Sequence, residues 1–323
     1  QGSVLNEKIK ISKEIEKLKK FKQKELTKKQ QNTYMVLMDY LRRQKNLSMY
    51  PYYERILGKI SGQQAQILLT LSEYRLKNEK DIKSYFQLLK GLDGYFDSLI
   101  EYSKEQVKRN LFLSDQSLKE VLQQIQNVIK QKENNMLVAT FNLRIADIKG
   151  INAAQKKKYC RENKKLIGTK VLPAYEKLYS HLQALNGNGK NENGLYYYKN
   201  GKEYYKVLVA QKTGSDKTIE EMIEISDRSI EKCLRKLIKL QKKYPNIINE
   251  YRNHKKNIKI VQNPQNILNK LRQKMVKYYP KAPKVSCKIK YVHKTMEEYT
   301  SPAFYMVPAI DSYKENVIYV NQA

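Results

Sequence analysis

Apolar residues recur every three or four positions over most of this chain and change to strict alternation only near its end. Ile82, Tyr85, Phe86, Leu89, Leu92, Phe96, Leu99, Ile100 and Val107 keep the first rule and predict a long helix, kinked near Gly91 or Gly94. Leu118, Val121, Leu122, Ile125, Val128 and Ile129 predict the next helix, with Ser117 and Glu120 as its capping box and the two helices as an antiparallel pair. From Val285 the period becomes two. Val285, Cys287, Ile289, Tyr291 and His293 alternate with Ser286, Lys288, Lys290 and Val292, the mark of a strand with two unlike faces. A second short strand is expected at Val317 to Asn321. Between them, Thr295 and Glu298 form a capping box, and Ser301-Pro302 and Val307-Pro308 punctuate an extended aromatic segment.

The remaining elements follow the helical rule. An amphipathic, peripheral helix is read at Leu5 to Phe21, and a second at Thr33 to Lys45, broken by Ser48 to Pro51. SGQQAQILLTLSEYRL, from Ser61, is almost uncharged at its start and predicts a buried helix whose Gln63, Gln64 and Gln66 need internal partners wherever they are buried. Helices follow at Ala153 to Asn163 and Ala174 to Leu185, with Pro173 in a first turn. Thr218 and Glu221 cap another, containing Met222, Ile223, Ile230, Leu234, Leu237 and Ile238, which must end before Pro245. The last runs from Pro264 to Tyr279 with Ile267, Leu268, Leu271 and Met275 as its buried face.

NGNGKNENG, Asn186 to Gly194, is the clearest loop. After it, LYYYK-NG-KEYYKVL reads either as a two-residue hairpin or as a short strand followed by a helix, two alternatives the pattern leaves open. The expected fold is mainly α: a multi-helix bundle with a small antiparallel β element near the C-terminus, and a possible second one around 195–206. Its organisation is read as a peripheral helix (1–25), a helical lobe (26–185), a loop or hairpin plus helices (186–280) and a β-rich edge (281–323).

Composition narrows the function. A net charge of +31, from 63 basic and 32 acidic residues, suggests a polyanionic partner. However, the basic residues are mostly lysines spread over every helix, and Lys abundance beside Asn, Ile and Tyr without Trp is the bias of AT-rich coding. Nucleic-acid binding is therefore not expected, although tyrosine-lysine runs such as Tyr196-Tyr197-Tyr198-Lys199 could stack bases. Half-buried packing tyrosines are the simpler reading. Cys160, Cys233 and Cys287 have neither metal-site nor disulfide spacing. His181, His254 and His293 lack a second imidazole or glutamate at ligand spacing, so no residue of this chain is expected to hold a metal or act as a catalytic group. No apolar run is long enough for a transmembrane segment.

Three ordered stretches carry a family resemblance: PYYERILGKISGQQAQILLTLSEYRL, NGKNENGLYYYKNGKEYYKVLVAQKTGSDKTIEE and KYVHKTMEEYTSPAFYMVPAIDSYKENVIYVN. From about Leu26 onward the chain resembles the domain of unknown function 885 family, bacterial proteins that often carry a lipoprotein or secretion signal and look like helical zinc peptidases. The family usually has a proline in the apolar run where this chain reads Ile67-Leu68-Leu69.

The resemblance implies a parent hydrolase with zinc and a peptide substrate, exported or lipid-anchored at a bacterial surface. Its metal motif, His-Glu-Gly-Tyr-Pro-Gly-His, would follow the strand at Val317 to Asn321, and this chain ends before it. The chain is therefore expected to be a non-catalytic fragment: the helical wall of a cleft plus a substrate-side strand, at Ile318 to Asn321 or Ala303 to Val307. Tyr305, Ile318, Tyr319 and Asn321 are the implied substrate-binding residues. Self-association through the exposed terminal strand is also expected. The alternative is a cationic helical surface module for an anionic polymer, membrane or single-stranded nucleic acid.

Overall fold

The computed structural model describes residues 4–59, 62–189, 191–257, 263–280, 285–292, 294, 297, 300–308 and 313–322. The chain divides into two compact units, Gln1–Ile225 and Ser226–Ala323.

In the first unit, α1 (Val4–Lys19) packs on α2 (Lys28–Leu47), which starts at a Thr27–Gln30 capping box. Buried Ile15 and Met38 mark the inward faces of the pair. An irregular segment follows to α3 (Gln63–Ser72), and then come α4 (Glu79–Lys90) and α5 (Leu92–Lys108). The predicted kink is a clean break at Gly91, which ends α4 and caps α5. α6 (Asp115–Lys130) begins three residues before the predicted box, because Ser114 and not Ser117 accepts the N-terminal amide hydrogen bond. α7 (Met136–Ala146) and α8 (Ala153–Leu166) follow, α8 with its own Asn152–Gln155 box.

α8 does not stop before Pro173. It passes through a π-helical turn, Ile167–Val171, directly into α9 (Leu172–Gln183). A proline inside a helix crowds the carbonyl four residues back, here that of Thr169, and the wider π turn sits at that carbonyl. α9 packs on both α5 and α6, so the expected antiparallel pair is bridged by a third helix. The core lies along this helix. Phe96 meets Tyr175 edge-on at 4.7 Å, Leu118, Val121 and Ile125 face Leu178 and Leu182, and Phe141 stacks on Tyr85 and Phe86.

Of the three α3 glutamines Gln64 alone is buried, 1% exposed, and it has the expected internal partners; the exposed Gln63 accepts from the Tyr95 hydroxyl. Gln64 Nε2 donates to Gly58 O and Gln124 Oε1, and Gln124 Nε2 donates to Lys59 O. Gln106 Nε2 likewise donates to Tyr52 O and Glu54 O. Three side-chain amides thus satisfy the carbonyls of a segment that has no ladder of its own.

The 195–206 region is not a hairpin. Gly194–Tyr197 is a short 3-10 turn, Asn200 takes the left-handed conformation at φ 56°, and α10 (Gly201–Thr213) starts immediately after it. Gly201 lies against Leu195 O so closely that a Cβ would stand 1.8 Å from it, which seats the helix start on the preceding turn. α10 packs on α2, where Arg43 donates to Ala210 O and Ser215 O and pairs with Asp216.

α11 (Ile219–Lys243) opens on the predicted Thr218–Glu221 box and runs out of the first unit. In the second unit, α12 (Ile247–Asn257) and α13 (Pro264–Met275) precede three strands, β1 (Ser286–Tyr291), β2 (Ala303–Met306) and β3 (Glu315–Val320). The apolar residues of α11 and the face expected to be buried in α13 are exposed, with Leu237 57% and Leu271 52% accessible. Thr295 and Glu298 lie outside the described residues. The sheet is mixed, not purely antiparallel. In the order β1-β3-β2, β1 runs parallel to β3 with Ile289 beside Ile318, and β2 antiparallel with Tyr305 beside Ile318.

Candidate functional site

β3 is the central strand, so Ile318 to Val320 have neighbours on both sides and cannot be the edge that a peptide joins. The edge is β2. Asn321 N–H donates to Pro302 O, and antiparallel ladders alternate. The backbone groups of Phe304 and Met306 therefore point at β3, and those of Ala303 and Tyr305 point outward. On the opposite side, Ser286 and Val292 bond to β3, which turns the groups of Cys287, Ile289 and Tyr291 outward. α13 packs against β1, with Arg272 donating to Val285 O, which leaves β2 the more open edge.

The four implied substrate residues separate by face. Tyr305 and Ile318 are register partners on one face; Tyr305 is 51% exposed, and its hydroxyl donates to Asn316 Oδ1. The Asn316 amide in turn reaches Ser286 O, so one chain of hydrogen bonds crosses all three strands. Tyr319 is on the other face, 3% exposed and stacked on Phe304 at 5.0 Å with Lys290 above its ring. Tyr305 and Tyr319 cannot line one side of a pocket together. The Asn321 amide donates to Glu297 O and Thr300 O, a pin on the connection between β1 and β2.

Among the described residues no group of three His, Cys, Asp or Glu side chains could hold a metal ion. His181 and His254 are exposed on separate helices, and His181 Nδ1 lies 2.9 Å from Lys177 O, one helical turn back. His293 lies outside the described residues. Cys160 and Cys287 are half-buried, Cys233 is exposed, and none is paired.

The first unit holds a cavity of about 750 Å³ that periodicity did not reveal. The irregular segment after α2 supplies Tyr50, Tyr52, Tyr53 and Glu54, α5 supplies Tyr102, and α10 supplies Tyr204 and Gln211. Tyr50, Tyr53 and Tyr204 touch one another, with ring centroids 4.9–5.5 Å apart. Burial pushes the Tyr204 phenol up to about 12, with Glu54 and Tyr198 adding to the effect. Burial also raises Tyr102, helped by Glu54, and Tyr53, helped by Tyr50 and Glu203. These hydroxyls stay protonated at neutral pH, and those of Tyr53 and Tyr198 donate to Lys199 O and Leu111 O. The signal in the sequence was the run Tyr50 to Glu54, whose partners lie some fifty and a hundred and fifty residues away.

A profile of the bacterial protein family of unknown function DUF885 matches residues 5–323. The chain belongs to this family. No curated protein matches it. Among solved structures, this DUF885 chain is similar to a protein described as a lipoprotein from Colwellia psychrerythraea, at 16% identity and a TM-score of 0.78. The match covers 99% of this chain and 60% of that one, so the DUF885 chain spans about three-fifths of the length of the structure it resembles. At that identity the likeness is one of fold. No described helix is long and apolar enough to cross a membrane.

Proposed function

We propose that this chain builds the helical wall and the substrate-side strand of a zinc peptidase, the metal being held by residues outside it. The observation that carries the reading is the open edge of β2, where the backbone groups of Ala303 and Tyr305 are turned away from β3. An extended peptide added there gains main-chain hydrogen bonds that do not depend on its sequence. The Tyr305 side chain, held by Asn316, borders the same edge. Export or lipid anchoring is part of the proposal, supported by the description of the Colwellia protein.

The test compares zinc content and hydrolysis of an unfolded peptide by this chain and by a protein extended to the length of the matched structure. Zinc and cleavage are expected in the extended protein alone. In that protein, Ala303→Pro deletes an outward N–H while leaving the bonds to β3, and should weaken peptide binding about tenfold or more. An extended protein that binds no zinc and cleaves nothing would sink the proposal.

A further inference from the structure

α11 is amphipathic over all its 25 residues, yet none of its side chains is buried. Ile223, Ile230, Leu234 and Leu237 form an exposed stripe at helical spacing, and Ile230 is 56% accessible. Beside the stripe runs one ridge of positions separated by three or four residues: Glu220, Glu224, Asp227, Glu231, Arg235, Ile238 and Lys242. Its first half is wholly acidic. Its second half carries only positive charge, and the reversal falls at the middle of the helix.

Coding bias does not account for this order, since basic residues outnumber acidic ones 63 to 32 in the whole chain. Nor does the helix dipole, whose influence fades within the first and last turns, whereas Asp227 and Glu231 lie well inside. A second copy running the opposite way does account for it. With a two-fold axis between Glu231 and Lys232, equivalent margins face each other, and each acidic half-ridge meets a basic one. Glu220 and Glu224 then lie near Lys242 of the second copy, and Asp227 and Glu231 near its Arg235. The same axis sets Ile223 at the level of Leu240, and Ile230 at the level of Cys233. A parallel pair would set the acidic ridge against the neutral margin of Met222 and Ser229.

We propose that α11 is a self-complementary docking face on which two copies of this chain pair antiparallel. Sedimentation velocity on the chain at rising micromolar concentration should show a monomer–dimer equilibrium. Ile230→Asp with Leu237→Asp, both on an exposed face, should abolish the dimer while leaving the circular dichroism unchanged. Glu224→Lys with Asp227→Lys should weaken pairing at least tenfold, and adding Arg235→Glu with Lys242→Glu should restore it. In a Cys233→Ser background, oxidising a mixture of the Glu220→Cys and Lys242→Cys chains should give the mixed disulfide. A chain that stays monomeric throughout overturns the proposal. So does a dimer indifferent to the two aspartates, or α11 gaining deuterium-exchange protection only in a longer chain, which would assign the face to an intramolecular partner.

Discussion

The hydrogen bond between Gln64 and Gln124 offers a worked test of what holds the irregular wall segment. Both residues are nearly inaccessible, at 1% and 3%, and the Gln64 Nε2 to Gln124 Oε1 distance is 2.7 Å. Replacing Gln64 by Leu strands Gln124 Oε1 but also removes Gln64 Oε1, which is buried without a partner, while Gly58 O keeps its hydrogen bond from Gly62 N. The number of buried orphans is unchanged, and the cost is that of the two lost hydrogen bonds, about 1–3 kcal/mol. Replacing Gln124 by Leu strands Lys59 O and one Gln64 N–H, at about 2–4 kcal/mol with the carbonyl partly hydrated. The double replacement strands only Lys59 O and still removes the orphan. It should therefore cost about 2 kcal/mol less than the sum of the singles. Urea unfolding of the four proteins, followed by tyrosine fluorescence, measures the cycle. Costs that add to within about 0.5 kcal/mol would refute the direct amide–amide bond.

Three further outcomes are expected. Gly201→Ala forces a Cβ into Leu195 O and should lower stability by about 2 kcal/mol or more, read as a fall in urea midpoint; a neutral result would show that the turn before α10 is free to shift. Asn191 donates from one amide to Asn110 O and Phe112 O, so Asn191→Leu should release the Asn186 to Gly194 loop and speed its proteolysis several-fold. Burial holds the Tyr85 phenol at about 12 against an ordinary value of 10, so its contribution is complete below pH 10 and is lost as pH rises to 12. That difference is worth about 3 kcal/mol, and Tyr85→Phe should flatten the alkaline limb of the stability profile by about that much.

Local chemistry was legible wherever it was self-contained. Thr218 and Glu221 make the predicted capping box because both partners lie within one turn. Ser114 took the place of Ser117 as the cap, accepting the Ser117 N–H and donating its hydroxyl to Ser117 Oγ, while the Asn186 to Gly194 loop holds the adjacent Asp115 through the N–H groups of Gly187 and Gly189. Asn200-Gly201 suits a hairpin turn and a helix start equally; the close approach of Gly201 to Leu195 selects the helix. The alternation in β1 was clear, but strand order is a long-range property, and nothing in Val317 to Val320 shows that this strand is central. For the same reason the substrate role implied for both Tyr305 and Tyr319 did not disclose that they occupy opposite faces. The apolar periods of α11 and α13 marked helices, but the face expected to be buried in α13 is exposed, since periodicity does not say whether a face is covered by its own chain.

The π turn ahead of Pro173 sets a phase for the longest helical rod in the first unit. Buried Asn163, Ile167, Val171, Tyr175, Leu178 and Leu182 span nineteen residues in five turns, whereas a regular α-helix makes five turns in about 18. The surplus residue is absorbed within Ile167–Val171, and both ends of the rod keep one face toward the core. Deleting Thr169 should therefore leave that face in register with an ordinary α-helix, whereas deleting a residue such as Glu176 would rotate everything beyond it by about 100° out of the core.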